Sequence, residues 1–226
     1  LKFASEKYFR KEIDGNELTQ TAEELRKTHW KLQKKSGINF ISGNDFSFYD
    51  MVLDTAVLLG IVPKRYQELG LSAIDTYFAM ARGYQGESGD VKALAMKKWF
   101  NTNYHYIVPE IEDDTKITLN ADKLFHEYFE AKRLGIETKP VVIGAFTMLK
   151  LIRYTGKKTA GDFAEAIIRA YQELLAKCNE EQVEWLQFDE PSLVKDLGAE
   201  DIELFHRIYD NILSDWNRQE RQPGNT

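Results

Sequence analysis

The stretch that decides the fold class is KPVVIG, residues 139–144. Its centre is a continuous apolar run, bounded by Pro140 on one side and Gly144 on the other. Such a run is typical of a parallel strand that is buried on both faces, because helices cover both sides of a parallel sheet. The run therefore predicts an α/β protein.

Two more short β-type runs precede this stretch and a third follows it, with helical periodicity between them. The predicted strands are residues 38–41, 104–108, 140–144 and 185–188, and the predicted helices are residues 18–35, 49–59, 122–134, 160–178 and 199–213. Strand and helix thus alternate about four times, which fits either an open doubly wound sheet or half of an eight-stranded barrel. Residues 63–100, broken by several glycines, predict an insertion of loops and short helices.

The charge balance and the single cysteine exclude several classes of function. With 30 Lys and Arg against 36 Asp and Glu, the formal net charge is −6. A negative chain lacks the extended positive face that nucleic acids and membrane surfaces require, so we predict neither partner. Cys178 is the one cysteine. It excludes a disulfide framework within the chain and predicts a reducing, cytoplasmic location.

Carboxylates occur at two positions that suggest chemistry. Asp189-Glu190-Pro191 follows the fourth predicted strand, where barrel enzymes such as glycosidases place acid and base groups. Adjacent residues of a strand point to opposite faces, so a pair that caps a helix or ties a loop is the favoured interpretation. Asp50 and Asp54, near the start of the helix after the first strand, predict a helix cap and a solvated charge.

Metal-binding patterns are weak in this chain. His126 and Glu130 are one helical turn apart, which is a spacing used by metal ligands, but such pairs are mostly solvated on a helix surface. The sequence has no HExxH motif and no Cys/His cluster, so we predict no metal site. Arg82-Gly83 suggests either an anion-binding arginine or a helix that ends at its glycine.

The strongest local signal is Lys97-Lys98-Trp99-Phe100. Two interpretations stay open on residue chemistry alone. The lysines are either solvated charges at a surface with apolar anchors, or point charges for a carboxylate or phosphate beside an aromatic surface.

Three longer runs, one of which contains Lys98-Trp99-Phe100, resemble those of a known family. The runs SGNDFSFYD (residues 42–50), KWFNTNYHY (98–106) and QFDEPSLV (187–194) closely resemble the N-terminal domain of cobalamin-independent methionine synthase. The resemblance covers residues 1–214 and implies a partial (β/α)8 TIM-type barrel with about four βα units, truncated at its start and end. Residues 215–226 are then a polar C-terminal tail. One departure is Gly144-Ala145, where the family has Gly-Pro.

The resemblance also implies a function. The family moves a methyl group from 5-methyltetrahydropteroyltri-L-glutamate to homocysteine to form methionine, and a C-terminal barrel holds the zinc that activates homocysteine. No cofactor and no catalytic residue are then expected within this chain, which alone would be inactive, and its partners would be the folate and the missing C-terminal barrel. Two positions that bind the triglutamate tail carry over as Lys2, the end of an Arg-Glu-Leu-Lys motif, and Lys98; Trp99 and Phe100 would anchor Lys98.

Two other functions remain as alternatives. One is a non-catalytic half-barrel that serves as a binding or interaction module. The other is a small carbohydrate-active enzyme that uses Asp189 and Glu190.

Overall fold

The computed structural model describes residues 1–214, which contain nine α-helices, nine short strands and one 3₁₀ helix. In chain order these elements are α1 (Lys2–Phe9), α2 (Gly15–Lys35), β1 (Ile41–Gly43), α3 (Met51–Leu58), α4 (Lys64–Gln67), α5 (Ala73–Arg82), β2 (Tyr84–Gly86), β3 (Gly89–Val91), β4 (Met96–Lys98), β5 (His105–Ile107), β6 (Glu110–Ile111), α6 (Asp122–Arg133), β7 (Thr138–Ile143), α7 (Ala145–Leu151), β8 (Arg153–Tyr154), α8 (Ala160–Glu180), β9 (Gln187–Asp189), the 3₁₀ helix η1 (Pro191–Val194) and α9 (Ala199–Ile212). The predicted polar tail, residues 215–226, lies outside the described residues.

The centre of the fold is a parallel sheet of three strands in the order β1-β7-β9. Gly43 lies opposite Pro140, and Ile143 lies opposite Asp189. The apolar run at residues 140–144 thus forms the central strand of the sheet, and the prediction of an α/β protein is confirmed. The first strand begins at Ile41, three residues after the predicted start at residue 38.

The second predicted strand, residues 104–108, does not join this sheet. It forms β5, which pairs antiparallel with β4 so that Lys98 lies opposite His105. Residues 99–104 connect the two strands, and so short a connection permits a hairpin but not a parallel crossover. Strands β6 and β8 form a separate parallel pair. Three of the four predicted strands therefore share one sheet, and residues 1–214 contain no closed barrel.

The long helices begin at recognisable caps. Asp14 accepts a hydrogen bond from the Glu17 backbone N–H at 2.9 Å, and the Glu17 carboxylate accepts one from the Asp14 N–H at 3.2 Å. This capping box starts α2 at Gly15, three residues before the predicted start. Helix α8 begins at Ala160 as predicted, with a second capping box between Thr159 and Asp162. Helices α1 and α7 were not predicted.

The main hydrophobic core lies between the central sheet and the helices that cover it. Its fully buried members include Val52, Ile61, Leu124, Phe146, Met148, Ile167, Tyr171, Leu174 and Ile208. A second core, around Leu18, Leu53, Tyr66 and Met80, joins α2 and α3 to the segment that was predicted as an insertion. None of the helices in the described part of the chain combines the length and the apolar character that a membrane span requires.

Candidate functional site

Four lysines surround one groove on the surface, which we call the lysine groove. Its volume is about 560 Å³, and its lining residues are Lys97, Lys98, Phe100, Asn101, Tyr106, Lys150, Leu151, Val194 and Lys195. Two of the lysines come from the β4–β5 hairpin, and the other two come from the segments that follow β7 and β9. Segments after the carboxyl ends of parallel strands are where α/β proteins build their sites.

Aromatic side chains of the hairpin lie beside the lysines. Phe100 has a positive φ of 52°, which turns the chain between the two strands of the hairpin. The ammonium of Lys195 lies 4.8 Å from the centre of the Phe100 ring, within the range of a cation–π contact. Trp99 contacts Phe100 and Tyr106 edge-on, with ring centres 5.1 and 5.9 Å apart. Trp99 therefore anchors the hairpin, whereas Phe100 also lines the groove.

The groove carries uncompensated positive charge. The Lys150 ammonium lies 2.8 Å from a carboxylate oxygen of Asp201, which neutralises it. Lys97, Lys98 and Lys195 form no ion pair with any residue of the described range 1–214. Because the chain as a whole has a net charge of −6, this groove is a local positive site on an acidic protein. Such a site attracts a small molecule with several carboxylates or phosphates.

Lys2 is the other residue that the resemblance assigns to the folate tail. It lies on α1 with 82% of its side chain exposed, and its ammonium is 4.0 Å from Glu6, one helical turn away. It is not among the residues that line the lysine groove. The structure therefore does not bring Lys2 and Lys98 together in that groove, and the role of Lys2 stays a prediction.

Glu190 has a structural role that uses both of its carboxylate oxygens. Oε1 accepts hydrogen bonds from the Phe146 N–H at 2.9 Å and the Tyr209 hydroxyl at 2.6 Å, and Oε2 accepts one from the Thr147 N–H at 2.6 Å. These backbone groups belong to the first turn of α7, so Glu190 caps that helix from the next strand end. The favoured interpretation of the Asp189-Glu190 pair agrees with this geometry. The same hydrogen bonds stabilise the turn at Gly144-Ala145.

Asp50 and Asp54, at the start of α3, are both enclosed. Asp50 caps α3 by accepting from the backbone N–H groups of Val52 and Leu53, and its second oxygen accepts from the N–H of Ile107. Burial raises the pKa of Asp50 to about 6. Asp54 was predicted to be solvated, but only 8% of its side chain is exposed. It accepts hydrogen bonds from Ser47 and Tyr77 and lies 3.3 Å from the Lys123 ammonium.

The residues present do not fit a zinc ion that activates a thiol. The resemblance implies that such a site uses His, Cys and Glu, whereas Cys178 is buried in the core on α8, where burial raises the pKa of its thiol to about 12. A protonated thiol is a poor zinc ligand. Within the described residues, the ligand atoms that converge are those of Glu23, His126 and Glu130, and Cys178 is not among them.

His126 and Glu130 differ from the prediction of a solvated pair. Glu130 is 9% exposed and binds Arg26 of α2 at 2.7 Å, while His126 is exposed and lies 3.5 Å from Glu23. Arg82 also finds a local partner: its guanidinium lies 3.6 Å from the centre of the Phe9 ring, at the end of α5 where Gly83 has a φ of 82°. This geometry matches the helix-end interpretation.

Sequence reasoning found two of the four lysines in the groove and missed Lys150 and Lys195. The missed lysines stand alone in helix-end and loop contexts, far along the chain from Lys98. In the fold, η1 packs against α7, and Lys150 and Lys195 line the same groove as the hairpin lysines. A local motif therefore gave no signal for them.

Comparisons with known proteins support one family. The family model described as "Cobalamin-independent synthase, N-terminal domain" matches residues 1–221. Among curated relatives, the 5-methyltetrahydropteroyltriglutamate–homocysteine methyltransferase of Campylobacter jejuni subsp. doylei is 58% identical over 214 residues, covering 95% of this chain and 28% of that protein. The protein of the same name from Streptococcus suis is 55% identical over 215 residues, covering 95% of this chain and 29% of that protein.

A solved structure from Listeria monocytogenes, named for a vitamin-B12-independent methionine synthase, matches all of this chain and 58% of its own chain. Its TM-score is 0.61, and at 14% identity it supports the fold alone. The chain spans less than a third of the length of the curated relatives it matches. From the family model and these relatives together, the chain belongs to the cobalamin-independent synthase family and corresponds to its N-terminal domain.

Proposed function

We propose that this chain contributes the binding of the folate polyglutamate tail to a 5-methyltetrahydropteroyltriglutamate–homocysteine methyltransferase that acts in methionine biosynthesis in the cytoplasm. The curated relatives carry this name, and their names specify a substrate with three glutamates. The chain aligns with 28% of the Campylobacter relative. We propose that methyl transfer to homocysteine, and the zinc that serves it, belong to the parts of the enzyme beyond this alignment. Without those parts we expect no turnover.

The observation that carries the proposal is the lysine groove. A triglutamate tail is a flexible chain of carboxylates, and the groove offers three lysines without ion-pair partners in residues 1–214. Ammonium groups at several points of one groove suit several carboxylates along one chain better than they suit a single anion. Lys98 is the member that the resemblance also assigns to the tail. Lys195, held over the Phe100 ring, is the member that the geometry adds.

We also propose that the domain is part of a (β/α)8 barrel. The parallel order β1-β7-β9 is open at both edges within the described residues. Further parallel strands at these edges would extend the sheet toward the barrel that the family resemblance implies.

The test is calorimetric binding of 5-methyltetrahydropteroyltriglutamate and of the monoglutamate to the chain. We expect the triglutamate to bind more tightly, and Lys98→Ala and Lys195→Ala each to weaken it about three- to tenfold, or about 0.7–1.4 kcal/mol. The same substitutions should change the affinity for the monoglutamate less, because the monoglutamate has fewer carboxylates that can contact the lysines. Added salt should weaken the triglutamate more than the monoglutamate.

Lys31→Ala is the matched control, since Lys31 is an exposed lysine of α2 outside the groove. It should leave both affinities unchanged. Equal affinity for the two folates, or an equal loss in Lys31→Ala and Lys98→Ala, would contradict the proposal. Lys2→Ala tests the remaining prediction separately, because Lys2 lies outside the groove.

A further inference from the structure

Helices α2 and α6 are joined by a buried network of charged side chains. Arg26 of α2 lies 2.7 Å from Glu130 and 3.6 Å from Glu127, both on α6, and the side chains of the three residues are at most 10% exposed. Lys123, also on α6, lies 3.2 Å from Glu127 and 3.3 Å from Asp54. These contacts place charges in a region from which water is largely excluded, where each one needs a partner.

The network has more negative than positive charge. The cations Arg26 and Lys123 face the three enclosed carboxylates of Asp54, Glu127 and Glu130, and Glu23 adds a fourth carboxylate at the surface. Two buried oxygens, Glu127 Oε2 and Glu130 Oε1, have no hydrogen-bond partner among residues 1–214. The Arg26 guanidinium binds only the other oxygen of Glu130, Oε2. A buried carboxylate oxygen without a donor is costly, so its position favours a cation.

Metal-ligating side chains meet at the surface end of the same network. His126 and Glu130 occupy one face of α6, and Glu23 approaches them from α2. One ligand atom from each of the three residues lies within 4.8 Å of the other two. The Nε2 atom of His126 is 3.5 Å from Oε1 of Glu23, which is long for a hydrogen bond. Two ligands at about 2.0–2.2 Å from one tetrahedral zinc ion are separated by about 3.3–3.6 Å.

From this geometry we infer that Glu23, His126 and Glu130 bind one divalent transition-metal ion, with Zn²⁺ as the best fit, and that the ion fastens α2 to α6. One imidazole nitrogen and two carboxylate oxygens form a donor set that zinc accepts, with a water in the fourth position. Arg26 fixes the Glu130 carboxylate from the inner side. The side chains of His126, which is exposed, and Glu23, which is partly exposed, have the freedom to close the remaining distance. The inference is independent of the proposed folate binding.

The test is equilibrium binding of Zn²⁺ alone to the metal-free 226-residue chain, measured by calorimetry. We expect one ion per chain, and a loss of affinity of at least about tenfold in both His126→Gln and Glu23→Gln. These two side chains are 54% and 40% exposed, so their replacement should not prevent folding. Glu130→Gln is a poor test, because it would also remove the closer of the two carboxylates that Arg26 contacts. Micromolar Zn²⁺ should raise the melting temperature of the wild type and not that of His126→Gln.

His206→Gln is the matched control, because it removes an exposed histidine of α9, which contributes no ligand atom to the cluster. It should bind Zn²⁺ as the wild type does. Co²⁺ should give the visible absorption of a four-coordinate ion in the wild type and in His206→Gln only. If the wild type binds no Zn²⁺, or if His126→Gln binds it equally well, the inference is wrong.

Discussion

Gly144 occupies a position where a methyl group would displace the cap of α7. A β-carbon built there would lie 2.6 Å from Cγ of Glu190, and closer still to its carboxylate carbon and one oxygen. The φ angle of Gly144 is −68°, which any residue adopts, so the substitution Gly144→Ala carries a steric cost without backbone strain. The Glu190 side chain must then move away from the helix that it caps.

The magnitude follows from the hydrogen bonds that Glu190 would lose. Its carboxylate accepts from the backbone N–H groups of Phe146 and Thr147 and from the hydroxyl of Tyr209. A hydrogen bond to a charged group contributes about 1.5–3 kcal/mol, and displacement breaks at least two of the three. We therefore expect Gly144→Ala to lower the free energy of unfolding by about 3–5 kcal/mol. Urea unfolding followed by tryptophan fluorescence would measure the change.

A double-mutant cycle identifies Glu190 as the cause. In Glu190→Ala the obstacle and the cap are both absent, so adding Gly144→Ala should cost little more than Glu190→Ala alone. Gly161→Ala is the matched control, because a β-carbon there would meet only Thr159 Oγ1, at 3.9 Å. It should be neutral or stabilising by up to about 1 kcal/mol. A Gly144→Ala protein within about 0.5 kcal/mol of the wild type, or additive costs in the cycle, would refute the reasoning.

Two other predictions concern buried titrating groups. The folded-state pKa of Asp50 is raised to about 6, above its ordinary value of 3.8, so protonated Asp50 stabilises the fold at low pH and this stability is lost as the pH rises from about 4 to 6. As the pH falls from 6 to 4, the wild type should therefore gain about 2–3 kcal/mol in free energy of unfolding relative to Asp50→Asn, measured by urea unfolding. A difference between the two proteins that does not change with pH would contradict the assignment. The thiol of Cys178, with its pKa raised to about 12 by burial, should not react with a disulfide reagent in the native protein at pH 8 and should react fully in urea; rapid native labelling would show that the core opens there.

The sequence pattern predicted two kinds of element: helices with one buried face, and strands that are buried on both faces. Strand β7 and helix α8 were found within two residues of their ends, since the first is an apolar run and the second has one apolar face. Helix α7 was missed because six of its seven residues are buried, so it has no polar face to mark a helical period. Strand β4 was missed for the opposite reason, because all three of its residues are exposed and show no alternation.

The predictions for single side chains failed where the partner comes from a distant part of the chain. Glu130 was expected to be solvated, but its partner Arg26 lies 104 positions away on α2. Asp54 was also expected to be solvated, but its partners Tyr77 and Lys123 come from two other helices, α5 and α6. The spacing of residues within one helix indicates which side chains share a face. It does not indicate which element packs against that face, and the packed element decides whether a charge is paired or solvated.

The lysine groove shows the same limit on the scale of the whole protein. A net charge of −6 argues against partners that contact an extended surface, because they respond to the average field of the molecule. A short polyanion responds instead to the few charges within a screening length of about 8–10 Å at physiological salt. The fold collects four lysines from three segments into one groove and leaves three of them without partners in residues 1–214. The groove therefore depends on the topology that concentrates these lysines, and the composition of an acidic chain does not reveal such an arrangement.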